Sequence, residues 1–158
     1  MNQRQITIPY HLCSNDELTD VERALVAKAK EAAQRAYAPY SGFHVGAAVL
    51  LSNGEMVSGS NQENAAYPSG ICAERTTLFY ANAKYPESSV EALAIVAIHK
   101  GEVVPSISPC GACRQVMSEV SYRYGKPYKV ILAGKDSSIV LEDNRMLLPF
   151  TFSGDDLK

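Results

Sequence analysis

The sequence contains no run of lysine and arginine and no apolar run long enough to span a membrane. Its formal net charge of −2 provides no long-range attraction to a phosphate backbone, so nucleic acid is not expected as a partner. Residues 1–11 show neither a continuous apolar core nor a small-residue cleavage site, and we therefore expect no membrane association and a cytoplasmic protein. Internal repeats, linkers and low-complexity tracts are also absent, and 158 residues suffice for one buried core, which predicts a single domain over residues 1–158.

Apolar periodicity and turn residues divide the chain into alternating helices and strands. A capping box at Ser14–Glu17 predicts a helix that runs to about Tyr37, and Asn53–Gly54 predicts a hairpin turn. Strands that are buried on both sides need helices to cover them, so the pattern predicts a sheet with helices on both faces. The other predicted elements are strands at 45–51, 55–59, 93–98, 129–133 and 139–141, helices at 72–84 and 110–122, loops at 60–70 and 105–109, and a last regular element ending at 147–149.

Four cysteines, at positions 13, 72, 110 and 113, are the residues best suited to bind a metal. Without an export signal they are expected to be free thiols in a reducing compartment. Cys110 and Cys113 are two residues apart at a predicted helix start, and Cys72 lies at another. Helix N-termini stabilise thiolates, and three thiolates with a fourth position left for water form a tetrahedral zinc site of the catalytic type.

Glu74 and Arg75, which follow Cys72 closely in the chain, are expected to act together with the metal. Glu74 lies within one helical turn of Cys72, so its carboxylate can approach a metal-bound water without being a ligand, which suits a proton shuttle. Three thiolates around a divalent ion leave a net charge of −1. We hypothesise that Arg75 hydrogen-bonds a ligand sulfur and withdraws charge from it, so that replacing Arg75 by Gln would raise the acidic pKa of the rate profile.

Other interpretations of the same residues remain open at this point. The cysteines could be small buried hydrophobic residues, or they could form a structural four-cysteine zinc site completed by Cys13. Glu74 could be a solvated charge that the helix dipole favours. His44 and His99 lie in or beside apolar strands and are interpreted as hydrogen-bonded structural residues outside the site.

The pattern Cys72-x-Glu74 followed by Pro109-Cys110-x-x-Cys113 resembles the signature of the zinc-dependent deaminases. Together with the segments 37–41, 61–65 and 147–149, it is similar to the short cytidine deaminases over most of the chain. The resemblance implies a three-layer α/β/α fold with a mixed five-stranded sheet, in which residues 1–13 are an N-terminal extension. It also implies one zinc ion per subunit and the hydrolysis of free cytidine and deoxycytidine to uridine, deoxyuridine and ammonia in pyrimidine salvage. In that reaction zinc lowers the pKa of a water toward about 7, the hydroxide attacks C4 of cytosine, and Glu74 carries the protons.

The resemblance also implies the residues that contact substrate. Asn61 and Glu63 match the pair that hydrogen-bonds the ribose hydroxyls, Phe43 matches the aromatic residue packed on the pyrimidine, and the backbone of Ala73 helps to hold the ring. The resemblance further implies that two aromatic residues, Tyr67 and Phe152, complete the site of a neighbouring subunit. Such sharing implies a homotetramer. Without the resemblance, Asn61 and Glu63 would be interpreted as polar loop residues, and Phe43 and Phe152 as core aromatics.

Three rival functions are weighed against this one. A nucleic-acid deaminase would need a basic strand-binding face and usually has a histidine in place of Cys72. A non-catalytic zinc module would not need a carboxylate beside the ion. A deaminase of a cytosine-containing nucleoside antibiotic would differ in the sugar-binding loop, where Asn61–Asn64 favours plain cytidine. The chain departs from the family pattern at Gln62 and in the tyrosine-rich segment 122–128.

Overall fold

A single sheet of seven strands lies between two layers of helices. The structure is a computed structural model and describes all residues 1–158. Six strands follow the order β1-β7-β6-β4-β2-β3, and β5 pairs with part of β4. Only β4 and β6 are parallel, so the sheet is mixed. The strands are β1 His11–Ser14, β2 Phe43–Leu51, β3 Met56–Ser60, β4 Val90–His99, β5 Glu102–Val103, β6 Lys129–Ala133 and β7 Ser137–Leu141, and the helices are α1 Asp20–Ala33, α2 Ala73–Lys84 and α3 Gly111–Tyr124.

The central strand β4 is buried on both faces because its residues alternate between two hydrophobic cores. Leu93 and Ile95 pack with α2 and α3, whereas Ala94 and Val96 pack with α1 on the opposite face. Burial on both sides explains why β4 is apolar throughout rather than alternating with polar residues. These contacts confirm the three-layer α/β/α architecture.

The number of strands predicted for the sheet was wrong. Two short strands raise it from five to seven: β1, which pairs antiparallel with β7, and β5, which consists of two residues beside the end of β4. Strand β1 includes the end of the N-terminal extension, and its four residues are mostly exposed. An exposed strand of this length has no buried alternation to reveal it in the sequence.

The predicted bounds of the first helix were also wrong, because two capping boxes compete at its start. The Ser14–Glu17 box caps only a 3₁₀ turn at Asn15–Glu17, and a second box from Thr19 to Glu22 begins α1. At the other end, the backbone N–H groups of Arg35 and Ala36 each donate to the carbonyl three residues earlier, as in a 3₁₀ helix. This tighter turn closes the helix before Tyr37. The last regular element is a 3₁₀ turn at Gly154–Leu157, beyond the predicted end at 147–149. No helix in the structure is both long and apolar enough to cross a membrane.

Candidate active site

Three cysteines from the starts of two helices meet at one point. Cys72 is the N-cap of α2, Cys110 is the N-cap of α3, and Cys113 lies in the first turn of α3. The Sγ atom of Cys110 is 3.8 Å from that of Cys72 and 3.6 Å from that of Cys113, and all three sulfurs lie within 4.8 Å of one another. A tetrahedral zinc ion with Zn–S bonds of about 2.3 Å requires sulfurs about 3.8 Å apart. The three thiols therefore fit zinc.

Cys13 does not complete a four-cysteine site. Its thiol donates to the carbonyl of Ser138 at 3.7 Å within the β1–β7 pair, and it does not belong to the cluster of the other three cysteines. A closed structural site with Cys13 as the fourth ligand was therefore a wrong alternative. Three protein ligands with an open fourth position are the arrangement of catalytic zinc sites.

The surroundings of Cys72 favour a thiolate. Two neighbours lower the pKa of Cys72 to about 5. The first is the thiol of Cys113, through a hydrogen bond, and the second is the guanidinium of Arg75, whose Nη2 lies 3.7 Å from the Cys72 sulfur. A hydrogen bond with Cys72 first, and then burial, raise the pKa of Cys113, which is fully buried. A thiolate that forms near neutral pH can bind a metal without a large cost for losing its proton.

Glu74 is a buried carboxyl group beside these thiols. It occupies the second position of α2 and is only 4 % exposed. Burial first, and then the negative charge of Cys72, raise the pKa of Glu74 above its ordinary value. A raised pKa lets a carboxyl group hold a proton at a higher pH than an ordinary glutamate does, which suits a group that must both take up and release protons.

A cleft of about 530 Å³ adjoins the cysteines, and Cys72 and Arg75 form part of its wall. The rest of the wall comes from the loop between β3 and α2 and from the turn before β2. This volume lies within the range of about 300–1,000 Å³ that is usual for small-molecule sites. The other lining residues are Tyr40, Ser41, Asn61, Gln62, Glu63, Asn64, Tyr67, Gly70 and Ile71.

The carboxylate of Glu63 is held in this cleft by three donors from the turn before β2. Its Oε2 accepts from the backbone N–H of Tyr40 at 2.9 Å and of Ser41 at 3.3 Å, and its Oε1 accepts from the Ser41 hydroxyl. The Ser41 hydroxyl first, and then the Tyr40 N–H, lower the pKa of Glu63. Glu63 is therefore a fixed, ionised acceptor at the edge of the cleft.

Asn61 is fixed by the backbone of β2. Its Oδ1 accepts from the N–H of Val45 at 2.7 Å, and its Nδ2 donates to the carbonyl of Phe43 at 3.0 Å. The amide Nδ2 has two protons, so one remains for a ligand. Because β2 holds the side chain at both ends, Asn61 presents that proton from a rigid position.

Of the other predicted substrate residues, only Tyr67 belongs to the wall of this cleft. Tyr67 lines it, is 77 % exposed, and makes an edge-to-face contact with Tyr40 at a ring separation of 6.2 Å. Phe43 packs against His99 at 5.9 Å and is not part of the cleft wall. Phe152 is exposed in the C-terminal segment and is not part of the cleft wall, and Ala73 is buried as the first residue of α2.

Several residues of the cleft wall were not predicted from the sequence, and Ser41 is the most important of them. Ser41 lies in the segment 37–41 that carried part of the resemblance, so a signal was present. Its role depends on Glu63, which is 22 residues later in the chain, and no local pattern connects the two. Tyr40 and Ile71, which also line the cleft, gave no separate signal.

Three thiols that fit zinc, a buried carboxyl group and an adjoining cleft are the features of a metal-dependent hydrolase. The family described as the cytidine and deoxycytidylate deaminase zinc-binding region matches residues 19–125. The cytidine deaminase of Halalkalibacterium halodurans is 42% identical over 133 residues, which are 84% of this chain and 95% of the relative. That of Sporosarcina psychrophila is 44% identical over 138 residues, covering 87% and 95%. The crystal structure of the cytidine deaminase from Burkholderia pseudomallei has a TM-score of 0.70 and 41% identity, and covers 85% of this chain and all of that one.

The chain belongs to the cytidine deaminase family. It is accordingly a zinc-dependent hydrolytic deaminase, and its cofactor is zinc.

Proposed function

We propose that the protein hydrolyses the exocyclic amine of free cytidine and deoxycytidine, forming uridine or deoxyuridine and ammonia, as an enzyme of pyrimidine salvage in the cytoplasm. The curated relatives that match over most of both chains are cytidine deaminases. The observation that carries the proposal is the convergence of three thiols beside the buried carboxyl group of Glu74, next to a cleft of nucleoside size. The net charge of −2 adds no attraction to a nucleic-acid strand.

In this proposal Cys72, Cys110 and Cys113 hold the ion. When bound, zinc supplies Lewis acidity that lowers the pKa of a water molecule toward about 7. Arg75, which contacts the Cys72 sulfur, withdraws negative charge from that ligand and stabilises its thiolate form.

Glu74 moves both protons of the reaction. It takes the first from the attacking water and delivers it to N3 of cytosine, which makes C4 more electrophilic. It takes the second from the new hydroxyl group at C4 and delivers it to the departing amine, which leaves as ammonia. The raised pKa of Glu74 supports this role, because a carboxyl group with an ordinary pKa would be a poor proton donor at neutral pH.

The sugar and the base are held by groups around the cleft. Glu63 accepts hydrogen bonds from the ribose hydroxyls and Asn61 donates its free amide proton to them. Phe43 packs on the pyrimidine, and the backbone of Ala73 holds the ring. The remaining aromatic contacts come from a neighbouring subunit of a homotetramer, through Tyr67 and Phe152. The exposure of these two side chains, 77 % and 58 %, supports a role at a subunit boundary.

The test is a spectrophotometric assay of the purified protein with cytidine, deoxycytidine and free cytosine. Both nucleosides should be deaminated and the free base should not. Zinc analysis should give one ion per chain, and sedimentation should give four chains per particle. Failure to deaminate either nucleoside, with activity instead on a cytosine nucleoside antibiotic, would refute the substrate assignment.

The Glu74→Gln variant tests the proton shuttle. It keeps the shape of the side chain but cannot carry a proton, so turnover should fall by about 10² to 10⁴, while the zinc content stays at one per chain. Glu87→Gln, which changes an exposed residue beyond the end of α2, is the matched control and should turn over cytidine at the wild-type rate. If Glu74→Gln retains wild-type turnover, another group moves the protons.

A further inference from the structure

Cys110 is the least restrained of the three zinc ligands. Its side chain is exposed, whereas that of Cys113 is fully buried in the core and that of Cys72 is contacted by Arg75. Cys110 is the N-cap of α3 and makes no capping hydrogen bond with its side chain. The direction of its thiol therefore depends on the backbone, which has φ −67° and ψ 166° at this residue.

The side chain of Arg114 fixes that backbone. Its Nε donates to the carbonyl of Pro109 at 2.8 Å, and its own backbone N–H donates to the carbonyl of Cys110 at 3.0 Å. The Pro109 carbonyl belongs to the peptide group that contains the Cys110 nitrogen, so the first bond limits rotation of the peptide that leads into the ligand. Residues 106–109 have no regular secondary structure that could limit it instead.

The same guanidinium is anchored at its other end. Its Nη1 donates to the carbonyl of Leu147 at 3.1 Å, at the end of the 3₁₀ turn Asn144–Leu147. This turn is itself rigid, because the buried amide of Asn144 donates to the carbonyl of Met117 and to the hydroxyl of Ser121 on α3. Arg114 forms no ion pair. Its guanidinium instead donates to two carbonyls that are far apart in the chain, those of Pro109 and Leu147. A lysine at this position could not bridge two carbonyls in this way.

We propose that Arg114 is a positioning residue for the zinc site: it holds Cys110 in its ligating orientation by tying the Pro109 peptide to the fixed turn at Leu147. It acts through a ligand and does not touch the metal or the substrate. Loss of this bridge releases the exposed ligand first, so zinc should leave the protein faster while the fold remains. Partners that orient a metal ligand typically contribute about 10-fold to 100-fold in metal affinity.

The test measures the transfer of zinc from the purified holoprotein to a chromogenic chelator, with no nucleoside present. Arg114→Gln should release zinc at least about 10-fold faster than the wild type. Arg114→Lys should fall between the two, because its ammonium can donate to one of the two carbonyls but has no fork to bridge both. The sulfur-to-metal charge-transfer band of the Co²⁺-substituted protein should be weaker in Arg114→Gln. The matched control is Arg123→Gln, which removes a guanidinium that donates to the carbonyl of Pro86 from the far end of the same helix.

Three outcomes would overturn the proposal: wild-type zinc release in Arg114→Gln, equal acceleration in Arg123→Gln, or full retention of zinc by Arg114→Lys, which would show that charge alone suffices. If Arg114→Gln does not fold, the comparison of Arg114→Lys with the wild type decides the question. Since the readout is metal release and not deamination, the result does not depend on the proposed substrate.

Discussion

The replacement of Glu63 by glutamine tests whether the fixed carboxylate at the edge of the cleft binds the sugar. The wild-type carboxylate accepts two backbone N–H groups at one oxygen and the Ser41 hydroxyl at the other. A glutamine can keep its single oxygen toward the two N–H groups and place its NH₂ against the Ser41 oxygen. That hydroxyl already accepts from the N–H of Phe43 at 3.0 Å, and its second lone pair is able to accept again. The clamp should therefore survive, and the fold with it.

What the variant loses is the negative charge that faces the cleft. Hydrogen bonds to an ionised partner are roughly twice as strong as those between neutral groups, and the amide presents donors where the carboxylate presented acceptors. We expect KM for cytidine to rise by about 10-fold to 100-fold, with a change in kcat of less than about threefold, because the lost contact is made equally in the ground state and the transition state. The wild-type pKa of Glu63 is lowered, so the wild-type KM should stay constant as the pH falls from 7 toward the ordinary range of glutamate.

The assay is steady-state deamination of cytidine followed by ultraviolet absorbance. Glu102→Gln is the matched control, since it removes another exposed carboxylate with a lowered pKa, at a position that does not line the cleft, and it should leave KM unchanged. An unchanged KM in Glu63→Gln, with the same melting temperature as the wild type, would refute the assignment of Glu63 to the sugar.

Two further predictions concern the face of the sheet opposite the zinc site. A Cβ added at Gly46 would lie 1.9 Å from the carbonyl oxygen of Ala29, so Gly46→Ala must push α1 off the sheet and should lower the free energy of unfolding by about 3 kcal/mol. Gly111→Ala, where nothing lies within 4 Å, is the control for urea denaturation, and equal stability of the two variants would contradict the packing argument. Burial alone would raise the pKa of Glu22, but the Lys129 ammonium at 2.7 Å and the α1 capping hydrogen bonds outweigh it and lower that pKa. A pKa that is lower in the folded protein than in the unfolded chain stabilises the protein above the unfolded pKa of about 4.3. Glu22→Gln should therefore lower the free energy of unfolding by about 1 kcal/mol at pH 7, and this difference should vanish as the pH falls through the folded pKa. A difference that does not depend on pH would contradict the assignment.

The elements that carry the chemistry could be predicted from sequence because their signals are local. The starts of α2 and α3 follow the predicted helices to within one residue, and the spacing of Cys110 and Cys113 alone indicates a metal site. The clamp on Glu63 could not be predicted, because it joins two loops that meet only after β2 and β3 have paired. The start of α1 was misplaced for a different reason: two capping boxes five residues apart satisfy the same local rule, and only tertiary packing selects between them.

The direction of the strands explains why cysteines 38 residues apart form one site. Strands β3 and β4 are both antiparallel to β2, so they run in the same direction and end at the same edge of the sheet. Helix α2 is the first α-helix after β3, and α3 is the first after β4 and its short partner β5; both helices pack on the same face. Two helices that begin at the same edge and on the same face bring their unpaired N–H groups to one place. The topology of the sheet therefore places all three cysteines at helix N-termini, where the unpaired N–H groups favour a thiolate.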